Sequence, residues 1–367
     1  MKWRRVAFKD FIQLQRGFDL PKSFMQEGEV PVLGSNCIIG YHNEAKVAPP
    51  GVVTGRSGTL GLVQYTDLPY WPHNTALWVK DFEGNYPKFV FYKLQTLNLE
   101  TFNAGVSVPT LNRNVLEDIH VNIPNYEAQE QIADILSTYD DLIENNRRRM
   151  ALLEEAARQL YREWFVRLCF PGHEHTRITN GVPDGWERKE LKEMVCVTMG
   201  QSPESTYYNE HGEGLPFHQG VTDFGERFVS HRVYCTALNR IAEAGDILCS
   251  VRAPVGRLNV TLDRIVIGRG LAALRSKTQS QSFLFQQLRA HFFKEDLVGS
   301  GAIFASVTKK EFESQELIDP PKRLKKAFED VVAPCDGQLR VLHLQNQKLR
   351  TARDLLLPRL MTGGIAV

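Results

Sequence analysis

Two stretches of this chain carry a helical hydrophobic repeat much longer than an ordinary globular helix. From Glu127 to about Arg167 there is no Gly or Pro, and apolar or interface-type residues recur every seven positions. One row is Ile132, Tyr139, Asn146, Leu153 and Leu160, and a second is Leu136, Ile143, Met150, Ala157 and Trp164. A heptad sustained over this length predicts a seam that packs on another helix. A second stretch repeats the pattern at an offset of 196 residues, Ile132 to Phe328. Its rows are Phe328, Cys335, Leu342, Leu349 and Leu356, then Val332, Leu339, Asn346 and Arg353. Asn146 and Asn346 fall mid-seam, where a buried amide fixes register at some cost in stability. Pro334 and Gly337 predict a kink or a late start for the second helix, and Pro358 predicts its end. About 40 residues of helix make a rod of about 60 Å, so two such rods are expected to pack antiparallel as a spacer.

Ahead of each helical stretch the pattern changes to short apolar runs between Gly, Pro and Asn, which predicts strands. In residues 1–124 these are VPVLG, GVVTG, LGLVQY and ALWVKDF, with a helix expected in YPKFVFYKLQTLNLETF. In residues 186–320 they are GDILCSVR, RLNVTL and GLAALRS, followed by the helix-like SQSFLFQQLRAHFFKEDL. The two halves correspond. At the offset of 196, Arg56 meets Arg252, Gly105 meets Gly301, and Pro124 meets Pro320. The N-terminal ends match at 183, where Trp3 meets Trp186 and Gly17 meets Gly200. The second half therefore holds an insertion between Gly200 and Arg252. A duplication of this size is a domain pair rather than a solenoid, and it favours a pseudo-symmetric partner such as duplex DNA.

At 367 residues, with 43% hydrophobic and 24% charged positions, the chain is long enough for two or three domains with full cores. The six cysteines (37, 169, 196, 235, 249 and 335) form no CxxC pair and read as reduced thiols of a cytoplasmic protein. No apolar run is long enough to span a bilayer, and MKWRRVAFKDF does not read as a signal peptide. A net charge of +1 means that any nucleic-acid binding must use local patches. The richest runs from Arg227 to Lys277, with eight arginines, one lysine and three acids. It reads either as a phosphate- and guanine-binding surface or as solvated strand residues.

Catalytic motifs fail in detail. Asp319-Pro320-Pro321 resembles an amino-methyltransferase loop, but Lys322 stands where a stacking aromatic is needed. Pro183-Asp184 with Glu187-Arg188-Lys189 is too compressed to be a PD…ExK nuclease site. There is no Walker A sequence. His173 and His175 lie in the polar linker without metal partners at ligand spacing. The expectation is a reader or scaffold with no cofactor and no metal of its own.

Taken together, these residues resemble the specificity (S) subunits of type I restriction–modification enzymes. The marks are residues 123–166 (IPNYEAQEQI to REWFV), TGRSGTLG, GVSVPTLN, VPDGWERKELKE and LLLPRLMTGGI. The resemblance implies an α+β fold with two β-rich target-recognition domains, each followed by a long helix, the helices pairing as an antiparallel coiled coil. The expected divisions are recognition domain 1 (1–124), spacer helix 1 (125–168), linker (169–185), recognition domain 2 (186–320), spacer helix 2 (321–358) and tail (359–367). It further implies a non-catalytic subunit that reads a bipartite, asymmetric site in double-stranded DNA. Its partners would be two methyltransferase (M) subunits and motor-nuclease (R) subunits, with S-adenosylmethionine on M and ATP used by R. Other classes remain open: a coiled-coil scaffold with protein-binding β modules, or a self-sufficient DNA-cleaving enzyme.

Candidate DNA contacts follow from the two loop pairs. Arg56 and Arg252 head Gly/Pro-rich loops whose small neighbours, Gly55, Ser57, Gly58 and Thr59, admit close approach of a backbone. Arg257 continues the second loop. Ser107 and Thr110, and in the second half Ser300, Ser306 and Thr308, offer hydroxyls suited to phosphate oxygens. The alternative is tight structural turns. Tyr207, Tyr208, His218 and Gln219, in or near the insertion, are further candidates, as is the Arg147-Arg148-Arg149 run.

Overall fold

The computed structural model describes residues 2–105, 107–117, 119–292 and 306–367. The chain divides into two compact units. Unit 1 is Met1–Asn145 with Asn346–Val367, and unit 2 is Asn146–Gln345.

In unit 1 the strands are β1 (Arg4–Ala7), β2 (Gln13–Arg16), β3 (Val30–Leu33), β4 (Ile38–His42), β5 (Gly51–Gly55), β6 (Val63–Thr66), β7 (Trp71–Pro72), β8 (Ala76–Asp81) and β9 (His120–Ile123). Helices α1 (Pro87–Gln95) and α2 (Arg113–Glu117) precede β9, and α3 (Tyr126–Tyr161) follows it. One sheet runs β2-β8-β5-β6, a second runs β4-β3-β7, and β1 pairs with β9. β3 and β7 are parallel, Val32 opposite Trp71, while the larger sheet is antiparallel. Its inner face buries Leu14, Val52, Leu77 and Val79 beneath α1, which contributes Phe89, Val90 and Leu94.

Unit 2 begins within α3. A hairpin of β10 (Ile178–Thr179) and β11 (Val182–Pro183) leads to β12 (Glu187–Glu190), α4 (Leu191–Met194) and β13 (Val195–Met199). Then come β14 (Tyr208–Asn209), β15 (Leu215–His218), β16 (Tyr234–Cys235), β17 (Ile241–Ala242), β18 (Ile247–Ser250), β19 (Leu258–Val260), β20 (Ile265–Ile267) and β21 (Leu271–Ser276). Helices α5 (Gln281–Phe292) and α6 (Lys309–Glu313), strand β22 (Glu316–Asp319) and α7 (Lys322–Thr362) complete the described chain. The sheets repeat unit 1: β13-β21-β18-β19 stands for β2-β8-β5-β6, and β12 pairs with β22 as β1 does with β9. β15 and β20 are parallel, like β3 and β7. β16 pairs with β15 as β4 does with β3, and β14 and β17 are added, widening the smaller sheet from three strands to five.

The fold is α+β, and the two long helices pair antiparallel. In unit 1 Ile132, Ala133 and Leu136 of α3 lie in one core with Leu356, Leu360 and Met361 of α7. In unit 2 Met150 joins Leu339 and Leu342, while Ala157 and Tyr161 join Phe328 and Val332. The row Leu136, Ile143, Met150 and Ala157 is buried throughout. Asn346 is buried and its Nδ2 donates to the Ile143 carbonyl at 3.4 Å. On α3, Gln129 accepts from the Tyr86 backbone N–H and donates to Asn85 Oδ1. On α7, Glu329 accepts the backbone N–H groups of Ser282 and Phe283, stabilising the positive end of α5.

One expectation is corrected. α7 neither starts late nor ends at Pro358: it is continuous from Lys322 to Thr362. Pro334, Gly337 and Pro358 all lie on its exposed side, and nothing stands within 4 Å of where a Cβ on Gly337 would be. A proline there frees one carbonyl of the preceding turn on the solvent-exposed side, while the opposite face holds its packing.

Candidate nucleic-acid interface

The two loops singled out in unit 1 are one structure. Gly55 ends β5 so tightly that a Cβ there would lie 1.9 Å from the Thr59 carbonyl oxygen. Gly58 has φ +92°, a conformation that side chains rarely adopt. Gly58 N–H donates to the Pro109 carbonyl at 2.9 Å, Leu111 N–H donates to Arg56 at 2.8 Å, and Ser57 bridges to Thr110. The second loop is tied by Asn103, whose Oδ1 accepts from both Gly105 and Thr110 N–H at 2.9 Å. Asn103 carries no mark in the sequence beyond its place two residues before a glycine and seven before Thr110. The Thr110 hydroxyl donates to Val108 within its own loop, whereas Ser107 and Thr59 are exposed. Arg56 is half-buried, and its Nε donates to the Asn74 carbonyl at 2.8 Å. Asn74 in turn donates from Nδ2 to Asp19, which also holds Arg16 at 2.9 Å. The Asn74 hydrogen bond holds the Asp19 carboxyl below its ordinary pKa.

Unit 2 builds the same junction. Arg252 bridges to Ser306, and Val307 N–H donates to the Val251 carbonyl at 2.9 Å. Ser300 lies outside the described residues. Thr308 instead caps α6, its hydroxyl accepting from Glu311 N–H and donating to Glu311 Oε2. Gly256 has φ +86°, and Arg252 and Arg257 are exposed.

The equivalence of the two arginines needs a one-residue correction. Gly55 faces Ala76 in unit 1 and Ser250 faces Leu271 in unit 2. Ala76 and Leu271 correspond, because their carbonyls accept from Gly17 and Gly200 N–H respectively. Counting outward, Arg56 corresponds to Val251, and Arg252 corresponds to Ser57. The bridges agree: Ser57 with Thr110, Arg252 with Ser306. Both loops carry an arginine, but from adjacent positions of the strand end, and successive positions face opposite sides.

The arginine-rich stretch from Arg227 to Lys277 divides into two sets. Arg227 is buried, with Nη2 2.9 Å from Asp336 Oδ1, Nε 3.4 Å from Glu154, and its guanidinium over Phe285. Arg275 forks onto Asp246 at 2.7 and 2.9 Å, Arg264 pairs with Glu243, and Arg232 pairs with Asp223. Each of these four has a carboxylate partner, and Arg227 alone of them is buried. Arg240, Arg252, Arg257 and Arg269 remain exposed on the surface.

The aromatic and histidine candidates separate similarly. Tyr208 stacks on Phe217 and its hydroxyl donates to the Pro203 carbonyl. His218 is buried, its Nε2 2.9 Å from His231 Nδ1, and His231 Nε2 is 3.0 Å from Asp263. Burial pushes the His218 imidazole down to about 4. Tyr207 and Gln219 are exposed, as are Arg147, Arg148 and Arg149 on α3.

A family model described as the type I restriction modification DNA specificity domain matches residues 1–155. A Methanocaldococcus jannaschii protein described as the MjaX type I restriction enzyme specificity subunit is 32% identical over 268 residues, covering 72% of this chain. The chain is thus similar to type I specificity subunits over most of its length. The matched stretch spans 63% of the MjaX subunit's length. The MjaIX specificity subunit of the same organism is 24% identical over 314 residues, covering 78% of this chain and 70% of its own. The crystal structure of a type I restriction–modification S subunit from M. genitalium has the same fold, with a TM-score of 0.65 at 16% identity. It covers 98% of this chain and 96% of that one. No helix among the described residues is long and apolar enough to cross a membrane.

Proposed function

We propose that the chain is a non-catalytic specificity subunit that reads a bipartite, asymmetric site in duplex DNA and gathers M and R subunits around it. The observation that carries this is the duplicated junction: each unit ends its four-stranded sheet in an arginine-bearing turn bridged to a second polar loop. The proposed DNA-facing residues are Gly55, Arg56, Ser57, Gly58, Thr59, Ser107 and Thr110 in unit 1. In unit 2 they are Arg252, Arg257, Ser300 and Ser306, with Thr308 contributing through the cap that fixes the loop end. Glycine-rich backbone and small hydroxyls suit phosphates, and the arginine fork suits guanine O6 and N7. The two units differ in sequence and in insertion, so the half-sites differ. Net charge of +1 offers few phosphate contacts, so binding by the isolated chain should be weak and specificity should rise with M bound.

The test is methylation mapping in cells carrying this chain and its M partner. An asymmetric split motif is expected. Arg56→Ala should relax or weaken one half-site and Arg252→Ala the other, at a cost of about 1–3 kcal/mol for a base contact. Unchanged methylation and affinity in both variants would show that the loops are structural turns.

A further inference from the structure

Two exposed arginines flank the adjoining ends of β18 and β21 in unit 2. β18 and β21 pair Ser250 with Leu271, and Val251 N–H donates to the Gly270 carbonyl at 2.9 Å. Arg252 follows β18 and bridges to Ser306, while Arg269 precedes β21 in a turn closed by Leu271 N–H, which donates to the Gly268 carbonyl at 3.0 Å. Both are exposed, and neither has an ion pair or a side-chain hydrogen bond among the described residues. Arg227, Arg232, Arg264 and Arg275, by contrast, each have a carboxylate. Exposed arginines without a carboxylate partner suit an electron-rich ligand.

The backbone beneath Arg269 is fixed. A Cβ on Gly200 would lie 2.1 Å from the Gly268 carbonyl oxygen, and one on Gly270 would lie 2.3 Å from that of Gln219. Arg269 N–H donates to Ser202 Oγ at 3.2 Å. These close approaches join three strand ends and leave a groove lined by Gln201, Ser202, Ser205, Gln219 and Arg269. The Gln201 and Gln219 side chains are exposed and make no hydrogen bond among the described residues. An arginine fork matches guanine O6 and N7, and a glutamine amide matches adenine N6 and N7. At the corresponding place in unit 1, one residue before Thr75, stands Asn74, and its amide is already given to Asp19.

We propose that Arg269, beside Gln219, is a base-reading residue for the half-site taken by unit 2. This rests on the reading of the chain as a DNA-specificity subunit. The experiment expresses the full chain with its M partner, as wild type, Arg269→Ala, Arg269→Lys and Gln219→Ala, and maps methylated sites genome-wide. Both Arg269 variants should accept other bases at one position of one half-site. Discrimination there should fall about tenfold to a hundredfold, with the other half-site unchanged. Lysine keeps the charge but not the fork, so it should not rescue the motif. Gln219→Ala should relax a neighbouring position and gives an independent reading if Arg269→Ala folds poorly. An unchanged motif, rescue by lysine, or an even loss across all sites with a lower salt slope would overturn the proposal. A wild-type complex that marks no split motif would instead overturn the underlying reading.

Discussion

Arg227 is the sharpest test of how the arginine-rich stretch divides. It is 6% exposed, held by Asp336 at 2.9 Å and Glu154 at 3.4 Å, with its guanidinium carbon 3.3 Å from the centre of the Phe285 ring. Arg227→Met keeps the bulk and removes the charge. The hydrogen bond to a carboxylate is worth about 1.5–3 kcal/mol, and the ring contact adds about 1–2 kcal/mol. Truncating one partner of a fully buried pair costs about 3–5 kcal/mol. The cost here should be smaller, because Glu154 keeps Arg289 at 3.2 Å and Asp336 is 26% exposed and can rehydrate. A loss of about 2–4 kcal/mol follows, or roughly 5–15 °C in the midpoint of a unit of this size. Thermal and urea unfolding followed by circular dichroism would measure it. Removing the stranded charge as well, with Asp336→Leu, should recover part of the loss. At a permissive temperature the methylation motif should stay that of the wild type. A cost below about 1 kcal/mol, the range of exposed pairs, or an altered motif would refute the assignment of Arg227 to the fold.

Two pH effects follow from buried groups. His218 falls from an ordinary 6.5 to about 4, so between these values the unfolded chain binds the extra proton and stability drops as pH falls. Going from pH 7 to pH 5 should cost unit 2 about 2 kcal/mol by urea unfolding, and His218→Asn should flatten that slope. Lys93 is buried in unit 1, donates to the Met361 carbonyl at 3.0 Å, and is lowered to about 8 by burial. Here too the unfolded chain binds the extra proton, so unit 1 should gain about 1 kcal/mol between pH 7 and pH 9, a gain absent in Lys93→Met. A wild-type stability that is level across either window would contradict the burial argument.

Much of this was legible because it is periodic or repeated. The heptad rows gave the long helices and their buried faces, Leu136 to Ala157 above all. The offsets of 183 and 196 gave paired domains with one insertion. What stayed hidden depends on partners. Pro334 and Pro358 look like helix breakers until it is known that they face solvent. Arg227 and Arg269 belong to one basic run, and only the carboxylates brought by α3 and α7 separate them. Arg56 and Arg252 align in sequence, yet a single-residue slip in the strand register separates them in space. Asn103 works through backbone groups, which leave little trace in composition.

The division of the chain also bears on its synthesis. Unit 2 is continuous, so everything it needs has been made by residue 345. Unit 1 is not: the cover over Ile132 and Leu136 comes from Leu356, Leu360 and Met361, and Gly363 lies against the ring of Trp3. The first strands to leave the ribosome therefore wait for more than 340 residues of chain before their core can close. Unit 2 can close before them, and the half begun first is completed last. During that interval the apolar face of α3 before Asn145 is open to a chaperone, or to a second nascent chain.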